Sequence, residues 1–398
     1  MTQLDACPKL YFGRHSLDAL AGLPEDGRIM VLCDPFMVES GIVSKITSRL
    51  ERYGRSYVIF SGVTPDPSIN TVTDAMQMLL REKPDILIAL GGGSAIDTTK
   101  ACLYFCLKYK QALMESRYVH RPYFVAVPTT AGSGSEVTSY TVVTDTEKDV
   151  KIPISDRAMT PDVAILDPEF LKTLPKDLIA FPGMDVFTHA IESYVSKSAT
   201  AFTELYALHA GQTVLRCLPR LYNGETDDAT CQDMMIAATM AGLAFHNSSL
   251  GLVHGIAHTL GAEFHLPHGY ANSIVLPWVI AFNAGVGRYR SLKRPELLIR
   301  YATYARSMGL RTTGSRNEAG DEDAACELIR TIQQLNKTFG IPDSLAQAGV
   351  SLEAIQAKRT EMSAKILNDI TTKSNPVAVG SAEVGQLLTD LYTGGGPL

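Results

Sequence analysis

The stretch Asp85–Leu90 (DILIAL) runs directly into Gly91-Gly92-Gly93-Ser94 and then into a helical pattern, AIDTTKACLYF. This strand, turn and helix constrain the fold more than any other segment. The apolar run is short for a globular helix and suits a strand buried on both faces. Glycines at such a turn let backbone N–H groups approach a pyrophosphate, and a helix N-terminus adds partial positive charge at the same point. A plain tight turn would use the same residues, and GGGS is not the longer GxGxxG fingerprint. Its place between an apolar strand and a helix favours the phosphate reading.

The first half repeats this alternation. Arg28–Asp34 (RIMVLCD), Tyr57–Ser61 (YVIFS) and Tyr123–Val127 (YFVAV) read as further strands, separated by helical patterns near 42–53, 70–82 and 95–109. Strands joined through helices need crossovers, so the sheet is expected to be mostly parallel with both faces covered. Beyond about residue 175 the strand signals stop, and Ala201–Leu221, Cys231–Phe245 and Ala324–Thr338 carry helical periodicity. The 398 residues thus read as an α/β, Rossmann-like dinucleotide-binding domain over 1–180 and an all-α metal-binding domain over 181–398. No low-complexity linker separates them, so a cleft between directly packed domains is expected. Thr312–Asp323 reads as a surface loop and the closing TGGGPL as a frayed tail.

A second loop repeats the design of the first. YFVAV is followed by Pro128-Thr129-Thr130-Ala131-Gly132-Ser133-Gly134-Ser135-Glu136. Small hydroxylated residues and glycines at a strand's carboxyl end suit a ligand lying along the sheet edge, and two such loops point to a dinucleotide. Asp34, ending the first clear strand, suits the hydroxyls of an adenosine ribose and would repel a 2′-phosphate, which favours NAD over NADP. A turn aspartate before Pro35 explains it equally well.

The second half carries a different chemistry. Asp185 and His189 are four apart in FPGMDVFTHAIESYVS, on one face of a helix. Four of the nine histidines, His254, His258, His265 and His268, fall within GLVHGIAHTLGAEFHLPHG. The donors are oxygen and nitrogen without thiolate, which suits zinc or ferrous iron. Spacing alone accepts Asp185, His189, His254 and His258 as readily as a set including His268.

Composition excludes other classes. A net charge of −6 and the lack of a basic cluster with interleaved aromatics argue against a nucleic-acid partner. No run of eighteen apolar residues and no signal-like N-terminus occur, so a cytoplasmic protein with no membrane partner is expected. Seven scattered cysteines make no disulfide framework, and Cys102 and Cys106, one helical turn apart, read as buried packing.

The motifs LYFG (10–13), TPDPS (64–68), GGGSAIDTTK (91–100), PTTAGSGSEVT (128–138), GMDVFTHAIESYVS (183–196) and the histidine-rich 251–269, in this order, resemble the iron-containing (group III) alcohol dehydrogenase family over nearly the whole chain. The resemblance implies a dinucleotide-binding α/β domain followed by an all-helical metal domain. It places the metal ligands on Asp185, His189, His254 and His268, and gives His258 a proton-relay or substrate-positioning role. His265 matches no ligand. It puts Gly92, Gly93 and Ser94 at the pyrophosphate, Asp34 at the adenosine ribose, Thr129, Thr130 and Ser133 along the nicotinamide half, and Lys151 at a cofactor-binding lysine; Asp97 lies in the same glycine-rich motif. NAD(H) and a divalent metal, Fe2+ or alternatively Zn2+, are the implied cofactors, and a homodimer or larger homo-oligomer the implied assembly. Two departures stand out: Asp66-Pro67-Ser68 where the family often has NPT, and Asn375-Pro376-Val377 where it has NPR. LCDPFMVESG, EFHLPHGYAN and FNAGV look similar to members that handle 1-propanol or ethanol, some of them in bacterial microcompartments, and to the alcohol dehydrogenase half of bifunctional aldehyde/alcohol dehydrogenases.

The expected reaction interconverts a short-chain primary alcohol and its aldehyde, propanal/1-propanol or ethanal/ethanol, by hydride transfer to or from the nicotinamide. A dehydroquinate-synthase-like lyase would bring basic residues to the metal for its anionic substrate. Here the flanking Met184, Val186, Phe187, Leu252, Val253 and Ile256 are apolar. A glycerol-dehydrogenase-like polyol oxidoreductase is a nearer alternative, and a metal-stabilised scaffold without activity would not need a phosphate cradle.

Overall fold

The computed structural model describes residues 4–5, 8–25, 27–65, 67–114, 120–146 and 150–398. Cys7 and Asp66 lie outside them. The chain divides into two compact units: Leu4–Leu174 with Thr226–His246, and Pro175–Glu225 with Asn247–Leu398.

The strands of the first unit are β1 (Lys9–Phe12), β2 (Ile29–Leu32), β3 (Tyr57–Phe60), β4 (Ile86–Gly91), β5 (Tyr123–Pro128), β6 (Tyr140–Asp145), β7 (Val150–Ser155) and β8 (Val163–Leu166). Six form one sheet in the order β1-β8-β5-β4-β2-β3, every pair parallel, and β6 and β7 make an antiparallel pair beside it. The α/β expectation holds. Successive side chains of a strand alternate faces, and β4 shows the result. Ile86, Ile88 and Leu90 join one core with Val31, Val125 and Ile46, while Leu87 and Ala89 join the opposite core with Leu79, Cys102, Leu103 and Cys106. Both thiols are buried and free, serving as packing.

β1, β8 and the β6–β7 pair were not anticipated. β1 and β8 are only four residues long, and β1 is an exposed edge strand whose pattern carries no alternation. The helix Asp228–Ser248 contributes Thr239, whose hydroxyl donates to buried Glu136 Oε1 at 2.6 Å within the first unit.

The second unit is helical, as expected. Its central helix, Lys176–Val195, is buried continuously from Gly183 to Val195. The helix His268–Ala284 lies close against it: a Cβ on Gly269 would stand 2.0 Å from the carbonyl oxygen of Phe181. Only glycine permits that approach, which sets His268 beside Asp185. Two loop readings are corrected. The helix Glu318–Thr338 begins inside the supposed loop, because Asn317 caps it by accepting the Gly320 N–H at 2.9 Å. The tail is held rather than frayed, since Pro397 O accepts the Arg288 N–H at 3.0 Å and Gly394 O accepts from Arg288 Nη2 at 3.2 Å. Among the described residues no single helix is long and apolar enough to cross a membrane.

Candidate metal centre and nucleotide loops

Three helices of the second unit bring four donors together. Asp185 and His189 face the same way one turn apart on Lys176–Val195; His254 comes from Leu252–Phe264, and His268 opens His268–Ala284. One donor atom of each lies within 4.8 Å of all the others. Asp185 Oδ1 is 3.6 Å from His189 Nε2, 3.5 Å from His254 Nε2 and 3.6 Å from His268 Nε2. Nitrogen and oxygen bonds of about 2.0–2.2 Å around a tetrahedral ion leave its ligands roughly 3.3–3.6 Å apart. The donor set and its spacing therefore fit a divalent metal.

A second layer orients the donors. Glu192, buried on the same helix as Asp185, sets Oε2 2.5 Å from His254 Nδ1 and accepts the Val253 N–H on Oε1 at 2.7 Å. Asn272 Nδ2 donates to Asp185 Oδ1 at 2.7 Å and lies 3.2 and 3.3 Å from the Nε2 atoms of His254 and His268. Asn375, from the NPV departure, accepts the Leu252 N–H at 3.2 Å and pairs with Asn283, anchoring the start of the helix that carries His254. Sequence reading gave Glu192 and Asn272 no role and named Asn375 only as part of that departure; the signal for the first two was a carboxylate or amide about one helical turn from a ligand.

Charge is unevenly held in the cluster. Burial works against ionisation of Asp185, but the surrounding imidazoles, with a hydrogen bond from His254, hold its carboxyl far below the usual range. Burial pushes His189 down to about 4. His254 rises to about 9 despite its burial, because Asp185 and Glu192 both bond to the ring. A metal ion would take the place of the proton on His254.

His258, one turn beyond His254, does not join the four donors. Its ring stacks on His268, with centroids 5.3 Å apart and 13° between planes, and its Nδ1 lies 2.8 Å from Asp369 Oδ2. The His268 and His258 side chains are 44 % and 27 % exposed, so the cluster opens to solvent on their side. His265 is exposed at the left-handed end of its helix, away from the set. Met184, Val186, Phe187, Leu252, Val253 and Ile256 are core residues with no more than 1 % exposure. Their apolar character reports on packing rather than on a substrate.

In the first unit, the carboxyl ends of β5, β4 and β2 lie side by side in the sheet. They carry Thr129–Ser133, Gly91–Ser94 and Asp34 in that order. The chain runs from β2 outward to β3 and returns to β4, so the strand order reverses between β2 and β4, where α/β sheets bind ligands. The helix Gly93–Met114 points its first N–H groups here without carbonyl partners of their own helix. A Cβ on Gly93 would sit 2.9 Å from Ser133 Oγ, and one on Gly92 3.2 Å from Thr130 Oγ1, so the two loops meet at glycine. Thr129 is buried, with its N–H on Gly91 O at 3.0 Å. These features fit a dinucleotide's phosphates.

Three other candidates are placed differently. Asp34 caps the short helix Pro35–Glu39, its Oδ1 accepting the Met37 N–H at 3.1 Å. Asp97 turns inward: Oδ1 accepts from Ser135 Oγ at 2.5 Å and stands 3.9 Å from Lys100 Nζ. Lys100 is fully buried and donates to Ser135 Oγ, Thr138 Oγ1 and Tyr140 O at 2.7, 2.8 and 2.9 Å, tying the glycine-rich helix to the second loop. Burial lowers its ammonium to about 8, against the pull of Asp97 and Glu136. Lys151, on β7, pairs with Thr144 of β6, and its side chain lies outside the described residues.

A convergent set of one carboxylate and three imidazoles, with a phosphate-type strand–helix turn in the companion unit, gives the chain the parts of a metal-dependent, nucleotide-binding enzyme. The family model for iron-containing alcohol dehydrogenase matches residues 7–168, and that for the C-terminal part of the Fe-containing alcohol dehydrogenase family matches 179–392. The chain belongs to the iron-containing alcohol dehydrogenase family, whose members interconvert alcohols and aldehydes. It is 37 % identical to a 1-propanol dehydrogenase of Citrobacter freundii, covering 96 % of this chain and 98 % of that one. It is 35 % identical to an NADPH-dependent butanol dehydrogenase of Clostridium saccharobutylicum, covering 97 % and 96 %. The solved iron-containing alcohol dehydrogenase of Thermococcus thioreducens superposes with a TM-score of 0.85 at 31 % identity, over 99 % of this chain and all of that one.

Proposed function

We propose that this alcohol dehydrogenase interconverts short-chain primary alcohols and aldehydes, 1-propanol/propanal or ethanol/ethanal, with NAD(H) and a divalent metal. The observation that carries the reading is the meeting of Asp185, His189, His254 and His268 within 4.8 Å, with Glu192 and Asn272 orienting them. Fe2+ is the metal proposed, with Zn2+ able to use the same donors. When bound, the metal supplies Lewis acidity toward a substrate oxygen and the nicotinamide exchanges hydride. His258 takes the alcohol proton and returns it in aldehyde reduction. Residues 1–180 carry the dinucleotide: Gly92, Gly93 and Ser94 cradle the pyrophosphate, Thr129, Thr130 and Ser133 line the nicotinamide half, and Lys151 stands as a further contact, while Asp97 supports the second loop through Ser135. Residues 181–398 carry the metal. The 1-propanol dehydrogenase relative supports the chain length of the substrate. The family resemblance supports a homodimer or larger assembly in the cytoplasm, with or without enclosure in a microcompartment.

Asp34 carries the preference for NAD, because a carboxylate repels a ribose 2′-phosphate. The NADPH-dependent relative makes the opposite choice a real competitor. Anaerobic purification, metal analysis and absorbance assays of NADH and NADPH with propanal, ethanal and butanal, and of NAD with glycerol, test the whole reading. Turnover of propanal with NADH is expected; silence with every small aldehyde overturns the function, and preference for NADPH overturns the role of Asp34.

A further inference from the structure

Asp369 follows the helix Leu352–Asn368 and has both oxygens committed. Oδ2 lies 2.8 Å from His258 Nδ1, and Oδ1 accepts from Thr371 twice, from the backbone N–H at 2.8 Å and from Oγ1 at 2.6 Å. Burial opposes its charge, but the bonds from His258 and Thr371 outweigh that and hold the carboxyl well below the usual range. Among the described residues nothing hydrogen-bonds His258 Nε2, and the ring is fixed flat against His268.

We propose that Asp369 is the positioning residue of His258: it holds the hydrogen of the neutral imidazole on Nδ1, so that Nε2 offers its lone pair to the substrate hydroxyl. The inference rests on the proton-handling role of His258 given above. An ionised carboxylate only accepts hydrogen bonds, so Nδ1 must donate to it. In alcohol oxidation the substrate O–H bond breaks with its electron pair left on oxygen, and the proton forms the new bond to Nε2. The imidazolium then carries hydrogens on both nitrogens, its Nδ1–H still on Asp369, and aldehyde reduction returns the Nε2 proton to the oxygen. Without Asp369 the hydrogen is free to sit on Nε2, and the acceptor is lost.

Asp369→Asn isolates the effect. The two Thr371 donors require an acceptor at the Oδ1 position, so the amide NH2 takes the place of Oδ2 and points a hydrogen at Nδ1. His258 keeps its orientation but must move its own hydrogen to Nε2. The expected loss is roughly 10²–10⁴-fold in kcat, the range for a misplaced general base, with KM and metal content little changed.

Nitrogen-15 histidine spectra of the metal-stripped protein, recorded where His258 is neutral and assigned with His258→Gln, read the tautomer without any turnover. The wild type is expected to show Nδ1–H and Asp369→Asn to show Nε2–H. Wild-type protein with Nε2–H overturns the proposal and needs no variant to fold. So does undiminished kcat in Asp369→Asn, or a further loss when Asp369→Asn is added to His258→Ala. Full activity in His258→Ala alone defeats the reading of His258 instead, and separates the two failures.

Discussion

Glu192 Oε2 stands 2.5 Å from His254 Nδ1, so the buried ring is held with Nε2 turned toward Asp185. A carboxylate behind a metal-binding imidazole fixes its tautomer and raises its basicity. Glu192→Gln is therefore expected to weaken ion binding about 10–100-fold while the helix stays folded. Chelator competition with zinc measures it, and unchanged affinity would contradict the role.

His268 and His258 stack on each other but are assigned opposite duties. His268→Ala is expected to lose bound metal, and His258→Ala to keep it while losing turnover. Elemental analysis of both purified variants decides: metal retained without His268 removes that residue from the ligand set.

Gly93 separates the two loops by the width of a hydrogen atom's place. A methyl group there would press on Ser133 at 2.9 Å, and overpacking of this kind costs about 1–3 kcal/mol. A loop shift that removes one hydrogen bond to a charged phosphate, worth about 1.5–3 kcal/mol, should raise the KM for NADH of Gly93→Ala roughly tenfold or more, at about 1.4 kcal/mol per factor of ten, without touching metal content. An unaltered KM would place the dinucleotide elsewhere.

Lys100 makes a prediction about pH. Its ammonium is buried and lowered from 10.5 to about 8, so between these values the unfolded chain holds a proton that the folded chain has released. Stability contributed by this residue is full above 10.5 and is lost as pH falls through 8. The shift corresponds to about 3 kcal/mol at 1.36 kcal/mol per pKa unit. Urea unfolding of wild type and Lys100→Met between pH 7.5 and 10.5 measures it as a difference. The wild type should gain on the variant as pH rises, and a constant difference would show that the lysine does not titrate there.

The sheet was legible where strands were buried on both faces, because β2, β4 and β5 are apolar along their whole length. β1 escaped because an exposed edge strand shows neither an apolar run nor alternation, and β8, as short and as buried as β2, was passed over. The metal ligands were narrowed by donor type and helical spacing, yet spacing accepted His258 as readily as His268. What decides between them is the turn at Leu266 and Pro267 together with the close approach at Gly269, and neither is a local property of sequence. Glu192, Asn272 and Asp369 were invisible for a related reason. Each acts through a neighbour that only the tertiary fold supplies. Asp34, read from sequence as a ribose contact or a turn aspartate before Pro35, turns out to cap a short helix, accepting the Met37 N–H on Oδ1.

The excursion of Thr226–His246 into the first unit carries a consequence for biosynthesis. The nucleotide loops belong to a unit whose buried Glu136 finds Thr239 only after about another hundred residues have been added to the growing chain. Emerging from the ribosome, residues 4–174 hold every strand of the sheet, but the helix that supplies Thr239 to Glu136 is still unsynthesised. The first unit is thus complete only once the helix Asp228–Ser248 has been made, and cutting the gene at residue 175 would leave one fragment without that helix and the other carrying it.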